Sequence, residues 1–470
     1  MKRTLRKLSF VAVALAAVSA LAGCTKKNND ETKLNVIVLN RGYGEDWIKS
    51  AKSIWEAANP GYSINLTLDA KAGALIQKHI YSKNNMDDLY ICTDAAWKSY
   101  ADDGKLLELD TFVDEEVNGV AIKDKLTKEY RGHINYTLSG GRGSHVYRLP
   151  FISGTGGIYY NEKLFTKYKW KIPTTYEELI ETVDKIRTDH KKYDDEDDAV
   201  IKPFVITSQN PDYFDYLVFS WWGQISGQEA ITDFFNYQDS DVFNTASTTH
   251  PAYAGLKQAT QLWASIFNNP ANYHKQTAAK YAQSDFLEGH AAMIINCDWI
   301  YKEIGDFLAS AGKSYADYAD TFEMKLMGAP TVTGATNPHA GYIVGEDQFI
   351  VVPKSTIKAD LAKSFIKTLV SDQVLKIFNQ KAQGFMAYDL SEGTYEAENT
   401  CMESIISYRN SLTYAFTNNS SARCYLNGNV DVWCQSGLRP YEDIADGAGV
   451  DGLFSAIYNT ARTGWNDWQY

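Results

Sequence analysis

The pattern that most restricts the fold is a strand–helix–strand unit in the first seventy residues. Residues 34–39 are almost wholly apolar, which predicts a strand buried on both faces. Apolar residues recur at helical spacing over 47–58, and the Asn-Pro-Gly sequence at 59–61 ends that helix. Alternating apolar residues over 64–68 predict a second strand. A unit of this kind implies a parallel sheet covered by helices, and therefore an α/β fold.

The residues before this unit have the pattern of an export signal. Four basic residues precede an uncharged, largely apolar run over 8–21, which is shorter than the about 20 residues a membrane-spanning helix needs. Leu-Ala-Gly-Cys at 21–24 resembles the lipobox of bacterial lipoproteins, which implies cleavage after residues 1–23 and a diacylglyceryl group on Cys24. We expect a lipid anchor followed by a polar tether over 24–33. An ordinary cleaved signal with a chance cysteine is the alternative.

The charge and the cysteine count exclude several classes of protein. The 470 residues carry a formal net charge of -12, and the part after the basic leader is more acidic still. Such a chain is a poor partner for nucleic acid or for an anionic lipid surface. Five cysteines besides Cys24 imply no disulfide framework, although Cys424 and Cys434 could pair or remain thiols. No cysteine–histidine spacing suggests zinc, and the acidic run at 194–198 lacks the pattern of a calcium loop, so we expect neither metal nor cofactor.

Strands and helices continue to alternate along the chain. Strands are predicted at residues 88–92, 146–150, 158–161 and 349–353, and a turn followed by a strand is predicted over 288–296. A helix begins after Thr175, because Thr175 and Glu178 have the spacing of a capping box. Another helix is predicted over 361–370, whereas residues 400–470 give only a weak helical pattern.

Several segments, in a fixed order, carry a resemblance to a known family. They are residues 42–44 with 59–61, residues 147–161, residues 172–179, residues 286–299, and residues 350–370 with 384–386. Behind a lipobox, they resemble the bacterial extracellular solute-binding proteins of ABC importers, in the carbohydrate-binding group that includes maltose-binding protein. The resemblance covers roughly residues 34–390.

The resemblance implies a two-lobe α/β fold of the type II periplasmic-binding-protein class, with a ligand cleft between lobes joined by a hinge. It implies an N-terminal lobe of residues 34–150 and 334–380 and a C-terminal lobe of residues 151–333 and 381–470. Crossings between the lobes are expected near 150–153 and 330–333, with a return after about 380.

The same resemblance implies binding without catalysis. The expected ligand is a sugar, and abundant Tyr and Trp favour an oligosaccharide. The expected partners are permease subunits with a cytoplasmic ATPase, and the membrane is reached through the lipid anchor only. We expect a monomer with no nucleic-acid partner.

Three other functions remain open from the sequence. The chain could bind a non-sugar solute such as a peptide or a polyamine, or it could be a surface adhesin without an importer. It could also be a lipid-anchored glycoside hydrolase, which would need two carboxyl groups about 5 to 10 Å apart across the scissile bond. No G-x-S-x-G, H-E-x-x-H or P-loop motif is present, so an enzyme is disfavoured.

A sugar cleft needs aromatic rings for the C–H faces of the sugar and polar side chains for its hydroxyls, on loops at strand ends. Trp299 is the strongest candidate, because similar proteins often place a stacking ring just after this strand. One of the two adjacent tryptophans is expected in the core, and Arg148 could bind hydroxyls or form a structural ion pair. The candidate ligand residues are Tyr43, Glu45, Asp94, Trp97, Thr155, Trp221, Trp222, Asp298, Trp299, Tyr342 and Glu346.

Overall fold

The structure is a computed structural model that describes residues 30–93, 96–195, 199–235, 239–345, 348–417 and 449–468. Several predictions concern residues outside these ranges: the export signal, the anchor at Cys24, most of the tether, part of the acidic run, and the cysteines at 424 and 434. Two candidate ligand residues, Asp94 and Glu346, also lie outside the described residues.

Seventeen strands are described, most of them in two five-stranded sheets. The strands are β1 (Lys33–Leu39), β2 (Ser63–Asp69), β3 (Leu89–Thr93), β4 (Glu116–Val117), β5 (Val120–Ala121), β6 (Tyr136–Thr137), β7 (Ser144–His145), β8 (Leu149–Pro150), β9 (Gly154–Thr155), β10 (Gly157–Asn161), β11 (Lys202–Thr207), β12 (Tyr273–Gln276), β13 (Ala291–Asn296), β14 (Met324–Gly328), β15 (Ala340–Val344), β16 (Gln348–Val351) and β17 (Tyr414–Phe416).

The helices of the described residues cover both sheets. They are α1 (Asp46–Ala58), α2 (Ala72–His79), α3 (Trp97–Asp102), α4 (Ile122–Lys125), α5 (Glu162–Tyr168), α6 (Tyr176–Asp189), α7 (Asp215–Phe235), α8 (Ala252–Phe267), α9 (Ala279–Leu287), α10 (Trp299–Ser310), α11 (Ala359–Leu369), α12 (Asp372–Ala382), α13 (Thr400–Ser411) and α14 (Gly449–Trp468). Among the described residues, none of these helices is both long and apolar enough to cross a membrane.

The first lobe is built on a sheet of order β2-β1-β3-β16-β8. β1 pairs in parallel with β2 and β3, as the strand–helix–strand unit predicts, and β16 runs antiparallel to β3. α1 packs against α11 and α12 because its apolar stripe buries Trp47 and Trp55. The Trp55 indole also donates a hydrogen bond of 3.1 Å to Ser364 of α11, so two helices whose bonded residues are 309 positions apart share one core.

The second lobe is built on a sheet of order β12-β11-β13-β10-β14. β11 runs parallel to both β12 and β13, whereas β10 is antiparallel to β13 and to β14. α7 lies within this lobe, packed against α8 and β15, and buries most of its 21 residues. Such a helix is apolar around most of its circumference because it has neighbours on most sides.

A small third sheet of order β17-β15-β9 lies where the chain crosses between the lobes. The chain leaves the first sheet at β8, passes through β9 and enters the second sheet at β10. β15 packs against α7 of the second lobe, and the chain re-enters the first sheet at β16. This return lies after the crossing expected near 330–333, and the lobe boundaries given above stay a prediction.

The amino-terminal cap of α6 follows the local sequence signal at Thr175. The Thr175 side chain accepts a hydrogen bond of 3.2 Å from the Glu178 N–H and caps α6, as predicted. The Glu178 carboxylate, however, accepts from Thr174 rather than from Thr175, so the capping box is shifted by one residue. The fold class is confirmed: an α/β fold with two lobes and a hinge between them.

Candidate ligand-binding site

The two main sheets present their carboxyl-terminal strand ends to each other. β1, β2 and β3 are parallel, so their last residues share one edge of the first sheet. β11, β12 and β13 are parallel in the second sheet, so their last residues also share an edge. The loop after β1 contacts the residues after β13, which brings these edges together. Ligands of open α/β sheets bind at such edges, and this meeting point is therefore the candidate cleft.

Trp299 lies between the two lobes at this point. It is the first residue of α10, directly after the connection that follows β13, and its side chain is only partly buried. Its ring packs against the apolar clusters of both lobes. Tyr43 of the first lobe meets it edge-on at 5.8 Å between ring centroids, and Tyr213 and Tyr216 of the second lobe lie at 6.2 and 6.4 Å. A partly exposed indole in an aromatic surround is suited to stacking on the C–H face of a sugar.

The neighbouring Asp298 is fully buried and does not reach the surface of the cleft. Its Oδ1 accepts a hydrogen bond of 2.7 Å from the Tyr43 hydroxyl, and its Oδ2 accepts one of 3.2 Å from the Thr155 N–H. Burial raises the pKa of Asp298 to about 6, although these two donors and the positive charge of Arg409 oppose the shift. Burial, with the negative charge of Asp298, also raises the pKa of Tyr43 well above its usual value.

Three other candidates lie near the strand ends with different surroundings. Glu45 precedes α1 and forms an ion pair with Lys49, and 41% of its side chain is exposed. Trp97 is buried, and the Arg148 guanidinium stacks over its ring at 4.6 Å. Thr155 is buried in β9, where its hydroxyl accepts a hydrogen bond of 2.9 Å from Arg409.

The aromatic candidates Trp221, Trp222 and Tyr342 lie in the core of the second lobe. The two indoles are 0% and 1% exposed and donate to the carbonyl oxygens of Pro330 and Ala252, at 2.9 and 2.7 Å. Tyr342 packs edge-on against Phe219 at 5.1 Å and is also buried. None of these three rings presents a free face in this structure, because α7 is enclosed by α8 and β15.

A family model named for the bacterial extracellular solute-binding proteins matches residues 41–376. This match spans well over half of the chain and includes the residues that follow β1, Trp299 and the second sheet. The chain belongs to the bacterial extracellular solute-binding protein family. Its members bind solutes outside the cytoplasm and are not enzymes. Among curated proteins, no sequence matches this solute-binding protein at a significant level.

Solved structures share the fold of this solute-binding protein over nearly its whole length. A chitin oligosaccharide binding protein has a TM-score of 0.64 at 18% identity, covering 93% of this chain and 99% of its own. The GacH receptor of Streptomyces glaucescens has a TM-score of 0.65 at 12% identity, covering 93% and 98%. Apo RafE of Streptococcus pneumoniae has a TM-score of 0.64 at 12% identity, covering 92% and 97%. At these identities the likeness establishes the fold alone.

Three residues of the site in this solute-binding protein were not predicted from the sequence. Tyr213 and Tyr216 follow β11 and form the second-lobe side of the aromatic surround. Their signal was available, since the Asn-Pro-Asp-Tyr sequence at 210–213 marks a turn directly after an apolar run. Arg409, which donates to the hinge residues Ser153 and Thr155, had no such signal because its segment gave only a weak pattern.

One group of side chains in the described part of the chain could hold a metal ion. Glu108, Asp110 and His145 of the first lobe have ligand atoms within 4.8 Å of one another. The His145 Nδ1 already pairs with the Asp110 carboxylate at 2.7 Å, and the Tyr147 hydroxyl donates to Glu108 at 3.3 Å. These groups satisfy one another, so they give no reason to assign a metal.

Proposed function

We propose that this solute-binding protein is the lipid-anchored sugar receptor of an ABC importer. It captures a sugar, with an oligosaccharide favoured, in the cleft between its lobes. Closure of the lobes selects the sugar, and the closed form delivers it to membrane permease subunits driven by a cytoplasmic ATPase. The protein acts as a monomer.

The observation that carries the proposal is the partly exposed Trp299 between the two lobes, surrounded by Tyr43, Tyr213 and Tyr216. Aromatic rings offer apolar faces and, in tyrosine, a polar edge, which matches the alternating character of sugars. The names of the structural neighbours support the same class of ligand: RafE in complex with raffinose, the chitin oligosaccharide binding protein, and GacH in complex with acarbose.

Among the candidate residues, we propose that Trp299 and Glu45 touch the sugar, with Asp94 and Glu346 as further polar contacts. Tyr43 and Thr155 border the cleft from the loop after β1 and from the hinge. Trp97 supports the first-lobe edge. Trp221, Trp222 and Tyr342 are assigned to the core, because their rings are enclosed by protein atoms.

A thermal-shift screen tests the class of ligand. Raffinose, maltotriose, chitotriose, acarbose, simple monosaccharides, short peptides and spermidine are each added to the protein without its leader. A ligand that binds the folded state raises the melting temperature, by an amount that grows with its concentration over Kd. We expect a shift with at least one oligosaccharide. A shift with peptides or spermidine and with no glycan would refute the sugar assignment.

Two tryptophan variants then test the position of the site. Trp299→Ala removes the proposed stacking ring, and we expect at least a tenfold loss of affinity for the glycan found in the screen. Trp170→Phe is the matched control, because Trp170 is buried in the second lobe and its indole bonds to Asp189 at 3.0 Å, away from the strand-end edges. Equal affinities of Trp299→Ala and the wild type would remove this site.

The anchor is tested separately in cells. Mass spectrometry of the membrane-bound protein should find a diacylglyceryl group on residue 24 as the new amino terminus, because two acyl chains hold a protein stably on a bilayer. Cys24→Ser should release the protein from the membrane or leave it unprocessed. Unmodified Cys24 in a normally located protein would contradict the anchor.

A further inference from the structure

The buried carboxylate of Asp298 joins three parts of the molecule. Tyr43 belongs to the loop after β1 in the first lobe, and its hydroxyl donates to Oδ1 at 2.7 Å. Thr155 belongs to the hinge strand β9, and its N–H donates to Oδ2 at 3.2 Å. Asp298 itself precedes Trp299, the first residue of α10. One side chain therefore connects the first lobe, the hinge and the base of the proposed stacking ring.

The surroundings leave little freedom for these connections to shift independently. A Cβ on Gly42 would come within 2.8 Å of the Trp299 Cβ, so the loop after β1 lies directly against this ring. A Cβ on Gly154 would lie 3.0 Å from the Cys297 Sγ and 3.4 Å from the Tyr43 hydroxyl. A displacement of Tyr43 would therefore be transmitted to the backbone that carries Trp299.

We propose that Asp298 is a positioning residue, which uses its hydrogen bonds to Tyr43 and Thr155 to hold Trp299 in place against the first lobe and so sets the affinity for a sugar stacked on that ring. Asp298 does not touch the sugar, because its side chain is fully buried. The inference rests on the proposed function and adds a role for a residue that the sequence suggested as a direct ligand.

The ionised carboxylate fits this role better than the neutral acid. Both partners donate to it, and an ionised carboxylate offers an acceptor oxygen to each. A proton on Asp298 would convert one of these acceptor oxygens into a hydroxyl group, which is itself a donor. The hydrogen bond that this oxygen accepts would then be weakened. Ligand affinity should therefore fall as the pH drops through the pKa of Asp298, which burial raises to about 6.

The other charged and titratable groups around Asp298 can be separated from it. Burial raises the pKa of four neighbours that are neutral when protonated, so they stay protonated between pH 5 and pH 8: Tyr43, Tyr159, Cys297 and Cys401. Arg409 stays positively charged. Glu303 of α10 also has its pKa raised by burial, and its carboxylate accepts from Gln283 at 2.6 Å. Glu303→Gln is therefore the control for the pH dependence.

The test uses isothermal titration calorimetry with whichever of raffinose, maltotriose, chitotriose and acarbose gives the largest thermal shift. Tyr43→Phe removes the hydrogen bond between lobes, and we expect Kd to rise about tenfold. Asp298→Asn should also weaken binding at pH 7.5. The double variant of Tyr43→Phe and Asp298→Asn should bind no more weakly than the single variant with the lower affinity, because both changes break the same hydrogen bond. Tyr159→Phe is the matched control, since it also removes a buried tyrosine hydroxyl, but one that donates to the Thr155 carbonyl oxygen at 3.0 Å and not to Asp298. We expect less than a twofold change for it.

The pH profile separates positioning from a merely structural role. Between pH 7.5 and pH 5, the wild type and Glu303→Gln should each lose about tenfold in affinity, and Asp298→Asn should change less than twofold. Over the same interval protonation of Asp298 favours the folded state, so a structural role alone would not weaken binding.

Two results would overturn the positioning role: Tyr43→Phe within twofold of the wild type, or the same pH dependence in Asp298→Asn and the wild type. If those results occur while Trp299→Ala loses binding, only this inference fails. If no glycan binds the wild type, the proposed function fails and the inference falls with it.

Discussion

The buried Asp298 makes a quantitative prediction about stability. Burial raises the pKa of this carboxyl from 3.8 to about 6. Each unit of pKa shift is worth about 1.4 kcal/mol, so roughly two units correspond to about 3 kcal/mol. Below pH 3.8 the group is protonated in both the folded and the unfolded chain. As the pH rises from about 4 to about 6, the Asp298 carboxyl ionises in the unfolded chain before it ionises in the folded chain. The free energy of unfolding of the wild type therefore falls by about 3 kcal/mol over this interval.

Asp298→Asn should remove this dependence, because an amide, like the protonated acid, carries no charge. The amide oxygen can accept from the Thr155 N–H, but the amide nitrogen is a donor, so the bond that the Tyr43 hydroxyl donates is lost or weakened, as it is in the protonated acid. In urea unfolding followed by circular dichroism, we expect the variant to match the wild type near pH 4. Above pH 6.5 its free energy of unfolding should exceed that of the wild type by up to about 3 kcal/mol.

Asp306→Asn is the control for this experiment. Asp306 lies on the same helix and pairs with Lys302, but its side chain is 58% exposed. Because its carboxylate is exposed to water, we expect Asp306→Asn to differ from the wild type by less than about 1 kcal/mol. A constant difference between Asp298→Asn and the wild type from pH 4 to pH 8, or a less stable variant at pH 7, would refute the reasoning.

Three further predictions concern the site and its supports. Gly42→Ala should weaken glycan binding about tenfold in calorimetry, because the new Cβ would lie 2.8 Å from the Trp299 Cβ. Gly305→Ala is the control: its Cβ would lie 3.6 Å from Tyr315, an ordinary contact, and we expect it to bind glycan like the wild type. Lys358→Met should cost about 3–5 kcal/mol in urea unfolding, because it leaves the buried Asp88 without its ion pair of 2.8 Å, and adding Asp88→Leu should recover part of that loss. A proton NMR titration should find the pKa of His250 above 6.5, because the Asp233 carboxylate bonds to its ring. Asp233→Asn should lower that pKa. The stability contributed by this pair is fully present below pH 6.5 and is lost as the pH rises through the folded-state pKa of His250.

Elements with strong local signals could be predicted from the sequence. The turn and strand predicted over 288–296 contain β13 at Ala291–Asn296, and the capping signal at Thr175 starts α6. Trp299 follows β13 immediately, so its place at a strand end required no knowledge of tertiary contacts. The second crossing between lobes was less accessible, because β15 and β16 are separated by only three residues of sequence yet belong to different sheets.

The candidate site shows where local reasoning stops. Trp221 and Trp222 have the residue types of a sugar platform, but their exposure depends on what α7 packs against. Their indoles find acceptors at Pro330 and Ala252, far along the chain, and are fully enclosed. Tyr213, by contrast, lies at the candidate cleft, since a turn after β11 brings it beside Trp299.

The sequence by itself therefore determined the α/β alternation, the family and the placement of Trp299 at a strand end. These properties follow from periodicity, turn residues and short motifs, which act over a few residues. Only the tertiary structure decided that Asp298 is buried and bonded to Tyr43, a partner 255 residues away. Burial and the pKa that follows from it are set by neighbours from other lobes and strands, and no local pattern encodes those neighbours.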